Sequence, residues 1–314
     1  MVTVEELLGT KEAKTGRFVR AVLAEAVGTA MLVIVGCGSV STLNKGLNPG
    51  AETMAVAFSF GFALAMIIWM FGHISGAHVN PCVSIGFLVT GHVSLIKTVC
   101  YIIAQVAGGI AGAGLLKAMI PDEWQGSLGS TTLHPLVKIW QGVIIEIIAT
   151  FCLVMTVFAS CDRLRTDHSG SIALAIGFCV TAMITWMGTT TGGSMNPARS
   201  FGPAVVTGTW DDHWLYWVAP IVGGTIAAIV YENVFAEQTK ETNTELHTFQ
   251  YNDLEMERTG YLDFTLDIPG PGNDKTSPVE FNKGRRFSAA NILSAFNKNR
   301  RASRPSTSEV MYEN

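Results

Sequence analysis

Residues 72–82, GHISGAHVNPC, and residues 188–198, GTTTGGSMNPA, carry the same motif at two places in the chain. When the copies are aligned on Asn80-Pro81-Cys82 and Asn196-Pro197-Ala198, glycines match four and eight positions upstream of the asparagines. Asparagine is a preferred N-cap, and proline suits the first helical position, where its missing N–H would have had no partner. Each copy therefore predicts the start of a helix within otherwise apolar sequence.

The composition around these motifs is that of a membrane-embedded core with polar ends. The chain is 48% hydrophobic and 15% charged, with a mean hydropathy of +0.34, and most charges lie before residue 21 or after residue 231. The net charge of −4 gives no indication of nucleic-acid binding. The six cysteines show no CxxC spacing, and neither a metal cluster nor a catalytic nucleophile nor a phosphate-binding loop is recognisable, so we expect no cofactor and no enzyme activity.

The distribution of apolar residues predicts an all-α membrane protein. A helix needs about 20 apolar residues to span a bilayer core. Six stretches meet or approach that length, and two more are too short to span and fit re-entrant half-helices. The six are 21–40, 54–71, 96–120, 136–159, 172–187 and 215–234, and the two short stretches are 81–89 and 197–206.

The spans divide into two similar halves, residues 17–125 and 134–236, each with three spans and one half-helix. Three spans per unit force the second unit to enter the membrane from the opposite side, which is the inverted-repeat arrangement. A shared Glu-x-x-x-Thr in the first span of each half, beginning at Glu25 and at Glu146, supports this division. We therefore expect an N-terminal segment 1–16, a channel domain 17–236 and a tail 237–314.

Basic residues in the loops predict the orientation. Cytoplasmic loops carry an excess of lysine and arginine. The side that holds both termini has Lys11, Lys14, Arg17, Arg20, Lys97, Arg163, Arg165 and the basic residues of the tail, whereas the other side has Lys45, Lys117 and Lys138. Both termini are therefore expected in the cytoplasm, and the plasma membrane is the expected location.

Several polar groups at membrane depth point to a pore. Asn80 and Asn196 would place amide donors where two half-helices meet, and the positive ends of the helix dipoles would oppose cations and protons there. Glu25 and Glu146 are expected to accept hydrogen bonds from the backbone of the re-entrant loops, although a proton-coupled transporter would use the same two carboxylates. Arg199 is the remaining ionisable residue at this depth.

With these motifs, residues 17–235 resemble the aquaporin, or major intrinsic protein, family. The resemblance lies in residues 24–29, 72–81 and 195–203. It implies the fold of six helices and two half-helices, a pore in every subunit and assembly into homotetramers in the lipid bilayer. It also places His78, within the first motif, beside Glu25 and Glu146 as support for the loops.

The same resemblance assigns the narrowest part of the pore to Phe60, Ile184, Gly193 and Arg199. Ile184 stands where strict water channels of the family usually have histidine, which implies a relaxed filter that passes glycerol or urea as well as water. Ser200 argues the other way, because glycerol channels of the family usually have aspartate there. A strict water channel is thus the alternative.

Cys82 is a second departure from the family pattern, which usually has alanine at this position. A cysteine is only slightly larger than alanine and is apolar, so packing is one interpretation. The other is a thiol near the middle of the pore that a mercurial could modify. The position that is commonly mercury-sensitive in the family corresponds to Gly193.

The tail 237–314 is polar and is predicted to be largely disordered. Two basic-basic-x-serine patterns make Ser288 and Ser303 candidate sites for a basophilic kinase. The hypotheses for the whole chain are a passive channel for water and small neutral solutes, a proton-coupled transporter, and a junctional protein whose pore is incidental. Osmotic swelling of vesicles would separate them.

Overall fold

The computed structural model describes residues 4–43, 48–162, 165 and 170–236. Within these ranges every regular element is a helix, so the prediction of an all-α protein is confirmed. The tail 237–314 lies outside the described residues, as do the candidate phosphorylation sites Ser288 and Ser303.

Six of the helices are long and apolar enough to cross a membrane. They are α2 (Gly16–Leu43), α3 (Pro49–Ser75), α5 (Leu95–Met119), α7 (Ile139–Cys161), α8 (Ile172–Thr191) and α10 (Leu215–Val230), the last continuing as a π-helix over Tyr231–Phe235. The half-helices are α4 (Pro81–Val89) and α9 (Pro197–Thr207). Two short helices, α1 (Val4–Leu8) and α6 (Asp122–Gln125), and a 3-10 turn over Glu12–Lys14 complete the described elements.

The fourth and fifth spans differ in their bounds from the apolar stretches of the sequence. The fourth begins at Ile139 rather than at residue 136, because Leu136 lies 86% exposed beside a turn in which Val137 N donates to the carbonyl of His134. The fifth span continues beyond residue 187 to Thr191. Its threonines remain compatible with an apolar helix because their hydroxyls donate to carbonyls of the preceding turn, as Thr185 does to Thr181 over 2.8 Å.

The two halves make equivalent contacts. The extensive α2–α5 interface has its counterpart in α7–α10, and α2–α3 has its counterpart in α7–α8. Each half-helix packs against the last span of the other half, so that α9 lies on α5 and α4 lies on α10. This exchange is what an inverted repeat of three helices and one half-helix predicts, and it brings both half-helix starts to the centre of the bundle.

Glycines allow the spans within each half to pack at backbone distance. A Cβ at Gly108 of α5 would overlap the carbonyl oxygen of Ala26 on α2. In the other half, a Cβ at Gly223 of α10 would overlap the carbonyl oxygen of Ile147 on α7. Small residues at such crossings are typical of membrane helices, which have little hydrophobic driving force for association and depend on close packing.

Candidate functional site

The start of each half-helix is fixed by the asparagine of the repeated motif. Asn80 Oδ1 accepts from the backbone N–H of Cys82 at 2.9 Å, and Asn196 Oδ1 accepts from those of Ala198 at 3.0 Å and Arg199 at 3.2 Å. Both asparagines have extended backbone conformations, and a proline follows each at the first helical position. The local signals of the sequence thus account for both caps.

The same two side chains also join the half-helices to each other. Asn80 Nδ2 donates to the carbonyl oxygen of Met195, and Asn196 Nδ2 donates to that of Val79, each over 2.8 Å. An amide nitrogen carries two hydrogens, and each of these bonds uses one of them. The two asparagines are 4% and 5% exposed, so this junction lies inside the bundle.

The carbonyls that accept these bonds belong to loops with an unusual backbone. Val79 has φ 41° and Met195 has φ 49°, and Ala77 lies at φ 47° in the first loop. Such left-handed conformations are unfavourable for residues with a Cβ and especially for a β-branched valine. The surrounding structure must therefore hold both loops in place.

Glu25 supplies that support in the first loop. Its Oε1 accepts from the backbone N–H of His78 at 2.9 Å and from Ser75 Oγ at 2.6 Å. Its Oε2 accepts from Val79 N at 2.6 Å and from Gln105 Nε2 at 2.8 Å. The carboxylate is completely buried and has four donors, which satisfies its acceptor capacity inside the protein.

Glu146 occupies the equivalent place in the second loop. Its Oε1 accepts from Thr191 Oγ1 at 2.7 Å and from Ser194 N at 3.0 Å, and its Oε2 accepts from Met195 N at 2.9 Å. The side chain is also completely buried. Both glutamates therefore hold the residue whose carbonyl receives the asparagine of the other half.

His78 contacts the first half-helix as well as the carboxylate of Glu25. Its ring Nδ1 lies 3.1 Å from Ser84 Oγ, and the ring stacks on Phe87 with centroids 4.9 Å apart. In the second half the equivalent contact is made by hydroxyls, because Ser194 Oγ lies 2.6 Å from Ser200 Oγ. Each loop is thus tied to the helix that follows it.

Two tyrosines that the sequence did not single out for this site complete the loop supports. Tyr101 OH donates to the carbonyl of Ser75 at 2.8 Å, and Tyr216 OH donates to that of Thr191 at 2.9 Å. Both tyrosines are fully buried, on the third span of their respective halves. Their equivalent spacing from the two motifs, 21 residues after Asn80 and 20 after Asn196, was the available signal.

The four expected filter residues form two contact pairs. The guanidinium carbon of Arg199 lies 4.6 Å from the centroid of the Phe60 ring, within cation–π distance. A Cβ built on Gly193 would lie 3.4 Å from Ile184 Cγ1, so the isoleucine lies directly beside the glycine. Phe60, Ile184 and Arg199 are each less than 5% exposed.

A loop glycine that the sequence reasoning missed holds the arginine. Arg199 Nη1 donates to the carbonyl of Gly129 at 2.7 Å, while Arg199 Nε has no hydrogen-bond partner among the described residues. Gly129 has φ 66° and packs against Cys37, where a Cβ on the glycine would lie 3.0 Å from the Cys37 Cα. No periodicity or motif marks this position, which only the path of the loop brings to the arginine.

Cys82 is enclosed by the protein. It is 0% exposed, and its Cβ lies 3.1 Å from a Cβ built on Gly224 of α10. The side chain therefore fills the interface between α4 and α10. Among the described residues, no group of three or more His, Cys, Asp or Glu side chains could hold a metal ion.

Comparison with known proteins places this site in a family. The model of the family described as "MIP: Major intrinsic protein" matches residues 12–231. The chain is 46% identical to mouse (Mus musculus) aquaporin-4 over 222 residues, covering 70% of this chain and 69% of the relative. It is 40% identical to the human lens fiber major intrinsic protein over 235 residues, covering 75% and 88% of the two chains.

A solved structure shows the same fold. The X-ray structure of the aquaglyceroporin from Plasmodium falciparum superimposes with a TM-score of 0.63 at 24% identity, covering 69% of this chain and 96% of that chain. The chain therefore belongs to the major intrinsic protein, or aquaporin, family, and it is a multi-pass membrane channel for water and not an enzyme.

Proposed function

We propose that this channel passively conducts water together with small uncharged solutes such as glycerol and urea, and that it excludes protons and ions. The observation that carries the proposal is the composition of the two contact pairs, Phe60 with Arg199 and Ile184 with Gly193. We assign these four residues to the selectivity filter. They combine one cation, one aromatic ring and one aliphatic side chain, without an imidazole.

Such a set of groups suits a solute with a polar edge and a CH edge. The guanidinium of Arg199 has five N–H donors, and Nη1 uses one of them for the carbonyl of Gly129. The rest of the group can donate to a hydroxyl or carbonyl oxygen of the solute. Phe60 and Ile184 offer apolar surface to the carbon atoms. An isoleucine in place of the histidine of strict water channels removes a polar group that can hydrogen-bond to water. It puts there an apolar surface that the CH edge of a solute can contact.

Exclusion of cations and protons follows from the junction of the half-helices. The N-termini of α4 and α9 meet through the bonds of Asn80 and Asn196, so two positive dipole ends lie near one point. The remaining amide hydrogens of the two asparagines can donate to a passing water oxygen. A water that accepts from both directs its own hydrogens away along the file, which interrupts a chain of proton transfer.

The contacts of the two buried glutamates oppose a proton-coupled mechanism. Glu25 accepts four hydrogen bonds and Glu146 accepts three, and two donors to each are backbone N–H groups that cannot become acceptors. Protonation would place an O–H against these donors. A coupling carboxylate must change its protonation state in every cycle, whereas these two are held as acceptors that shape the loops.

The remaining parts of the proposal concern assembly and regulation. We propose a homotetramer with one pore in each subunit, in the plasma membrane, with both termini in the cytoplasm. The orientation is supported by the excess of basic residues on the side of the N-terminal segment. Phosphorylation of Ser288 or Ser303 by a basophilic kinase stays a proposal from the sequence.

Flux measurements on proteoliposomes test the selectivity. Light scattering after rapid mixing gives the water permeability under an impermeant osmolyte and the solute permeability under inward gradients of glycerol or urea. Wild-type protein is expected to pass water, glycerol and urea without any response to an imposed pH gradient. Ile184→His is expected to lower the ratio of glycerol and urea flux to water flux, and Ile184→Val serves as the matched control that keeps an aliphatic wall.

Two results would overturn parts of this proposal. Glycerol and urea flux equal to that of protein-free liposomes would show a strict water channel, which is the alternative. An unchanged solute-to-water ratio in Ile184→His would show that Ile184 does not set the selectivity.

A further inference from the structure

The segment before α2 and the N-terminal end of that helix carry a basic cluster that the channel function does not use. Lys11, Lys14, Arg17 and Arg20 recur at intervals of three residues, and their side chains are exposed. Lys11 lies 3.3 Å from Glu5, and both side chains of that pair are more than 60% exposed. We use the name basic cluster for these four residues.

The length of α2 places the basic cluster at the surface of the bilayer. The helix has 28 residues, which corresponds to about 42 Å, whereas a bilayer core is only about 30 Å thick. Its apolar run occupies residues 21–40, and Arg20 is the residue directly before that run. The turn from Gly16 to Arg20 therefore projects from the hydrocarbon into the headgroup layer.

Arg20 lies on the outer face of α2. Leu23 is 59% exposed and Val27 is 49% exposed, and these side chains mark the outer face of the helix in the membrane. Arg20 precedes Leu23 by three residues and Val27 by seven, which places all three on one helical face. Arg20 thus lies one turn beyond the exposed apolar residues, where the apolar run of α2 ends and the phosphate groups of a bilayer begin.

The segment before α2 is held in position by the protein itself. Glu12 Oε1 lies 2.7 Å from Lys97 Nζ, and Glu12 Oε2 accepts from Ser94 Oγ at 3.3 Å. Thr15 Oγ1 accepts from the backbone N–H of Phe18 and so caps the first turn of α2. The cation that pairs with the Glu12 carboxylate is therefore Lys97, which is not part of the basic cluster.

Apolar side chains accompany the charges. Leu7 and Leu8 on α1 are 59% and 36% exposed, and they lie four and three residues before Lys11 in the chain. Exposed leucines beside lysines and arginines are typical of segments that lie in the interface between headgroups and acyl chains. Arginine binds phosphate through paired N–H donors, and lysine binds it as a point charge.

We propose that the basic cluster binds the phosphate headgroups of anionic phospholipids in the adjacent leaflet, with Leu7 and Leu8 inserted between the headgroups. In the proposed orientation this leaflet is the cytoplasmic one. Only this choice of leaflet rests on the proposed function. Anionic lipids are concentrated in this leaflet and attract basic residues near its surface.

The test measures lipid binding to the purified full-length chain in detergent. No membrane is present there, so the result does not depend on the orientation of the chain. Native mass spectrometry counts bound phosphatidylserine and phosphatidylcholine as each is titrated, and thermal unfolding follows the same titrations. Wild-type protein is expected to bind phosphatidylserine more tightly than phosphatidylcholine. Lys14→Gln/Arg20→Gln is expected to weaken phosphatidylserine binding about 25-fold, from about five-fold for each charge removed.

Two further variants isolate the cause. Lys117→Gln/Lys138→Gln removes the same charge from exposed positions at the opposite end of the bundle and is expected to leave binding unchanged. Lys14→Arg/Arg20→Lys keeps both charges and is expected to retain binding within about two-fold, which separates a lost charge from a lost fold.

Three results would overturn the proposal. They are equal binding of the two lipids by the wild-type chain, equal weakening by the N-terminal and the opposite-end variants, and displacement of phosphatidylserine by an equal concentration of inorganic phosphate. Protease protection of a tag at the N-terminus reports the orientation separately, so a failure of the orientation would not be mistaken for a failure of lipid binding.

Discussion

Asn80 and Asn196 each cap their own half-helix through Oδ1 and reach across to the other loop through Nδ2. The two crossing bonds are equal in length, 2.8 Å, and each ends on the carbonyl of the residue that precedes the other asparagine. One side chain thus sets both the start of a helix and its distance from the second helix. Replacing the amide therefore affects the fold and the pore together.

Asn196→Asp separates these two roles. The carboxylate keeps the cap acceptor but loses the donor to Val79 and places a negative charge at the two dipole ends. We expect a lower unfolding temperature and a measurable proton or cation leak, because the positive potential at the junction is reduced. A pH-sensitive dye inside proteoliposomes detects the leak.

Asn233→Asp is the matched control for that variant. Asn233 Nδ2 also donates to a backbone carbonyl, that of Ile229 at 2.8 Å, but at an exposed position. The control is expected to leave the membrane tight to protons. An Asn196→Asp channel that is equally tight would contradict the assigned role of the amide.

Glu25→Gln and Glu146→Gln are expected to destabilise the fold. An amide of nearly the same shape turns two hydrogens toward groups that are themselves donors, including the backbone N–H groups of Val79 and Met195. Leaving buried donors without acceptors costs about 3 kcal/mol of unfolding free energy. Thermal unfolding in detergent measures this loss, with the exposed Glu123→Gln as the control.

The same glutamate variants also discriminate between mechanisms. Water flux for each correctly folded channel is expected to stay near the wild-type value, because the carboxylates shape the loops and carry no proton. Flux that depends on a pH gradient in the wild type and loses that dependence in either variant would favour the transporter.

Gly193→Ala is expected to reduce glycerol flux more than water flux. The new Cβ would lie 3.4 Å from Ile184 Cγ1 and would occupy space beside it, and its backbone at φ 69° costs about 1–2 kcal/mol for alanine. A single carbon in a close-fitting site changes discrimination roughly ten-fold. Light-scattering measurements on proteoliposomes compare the two fluxes.

A double substitution checks that this effect comes from the contact with Ile184. Adding Ile184→Ala to Gly193→Ala removes Cγ1 and Cγ2, the two side-chain atoms nearest the new methyl group, and should recover part of the glycerol flux. Strictly additive effects of the two changes would mean that the residues act independently.

Gly108→Ala is expected to disrupt the pairing of α2 with α5. The added methyl would overlap the carbonyl oxygen of Ala26, a backbone atom that can move only with its helix, and overpacking of this kind costs about 1–3 kcal/mol. Gly114→Ala on the same helix has no atom within 4 Å of its new methyl and should be neutral or slightly stabilising. Similar unfolding temperatures for the two variants would argue against close backbone packing at this crossing.

Cys82→Ala is expected to leave water flux unchanged, because the thiol packs between α4 and α10 and is 0% exposed. A hydrophilic maleimide should label Cys161, which is exposed, and should not label Cys82 in the folded channel. Mass spectrometry of the labelled protein assigns the modified cysteines. Loss of flux on labelling that disappears in Cys82→Ala would show that the thiol is accessible from the pore.

The local signals of the sequence were sufficient to locate the six spans and the two half-helices. An asparagine before a proline, or an apolar run of about 20 residues, determines a helix from neighbouring residues alone. One bound was wrong at Leu136, whose apolar side chain lies 86% exposed in a loop before α7. Apolarity alone cannot tell a residue in a span from one beside it.

The sequence by itself determined that two half-helices begin at Asn80-Pro81 and Asn196-Pro197 within a duplicated set of spans. Only the tertiary structure decided that each asparagine bonds to the carbonyl before the other, and that Gly129 and the two tyrosines hold the arginine and the loops. These contacts join residues that are 25 to 117 positions apart, so no periodicity records them. They form because both halves fold around one centre, where leaving a buried donor or acceptor unpaired costs free energy.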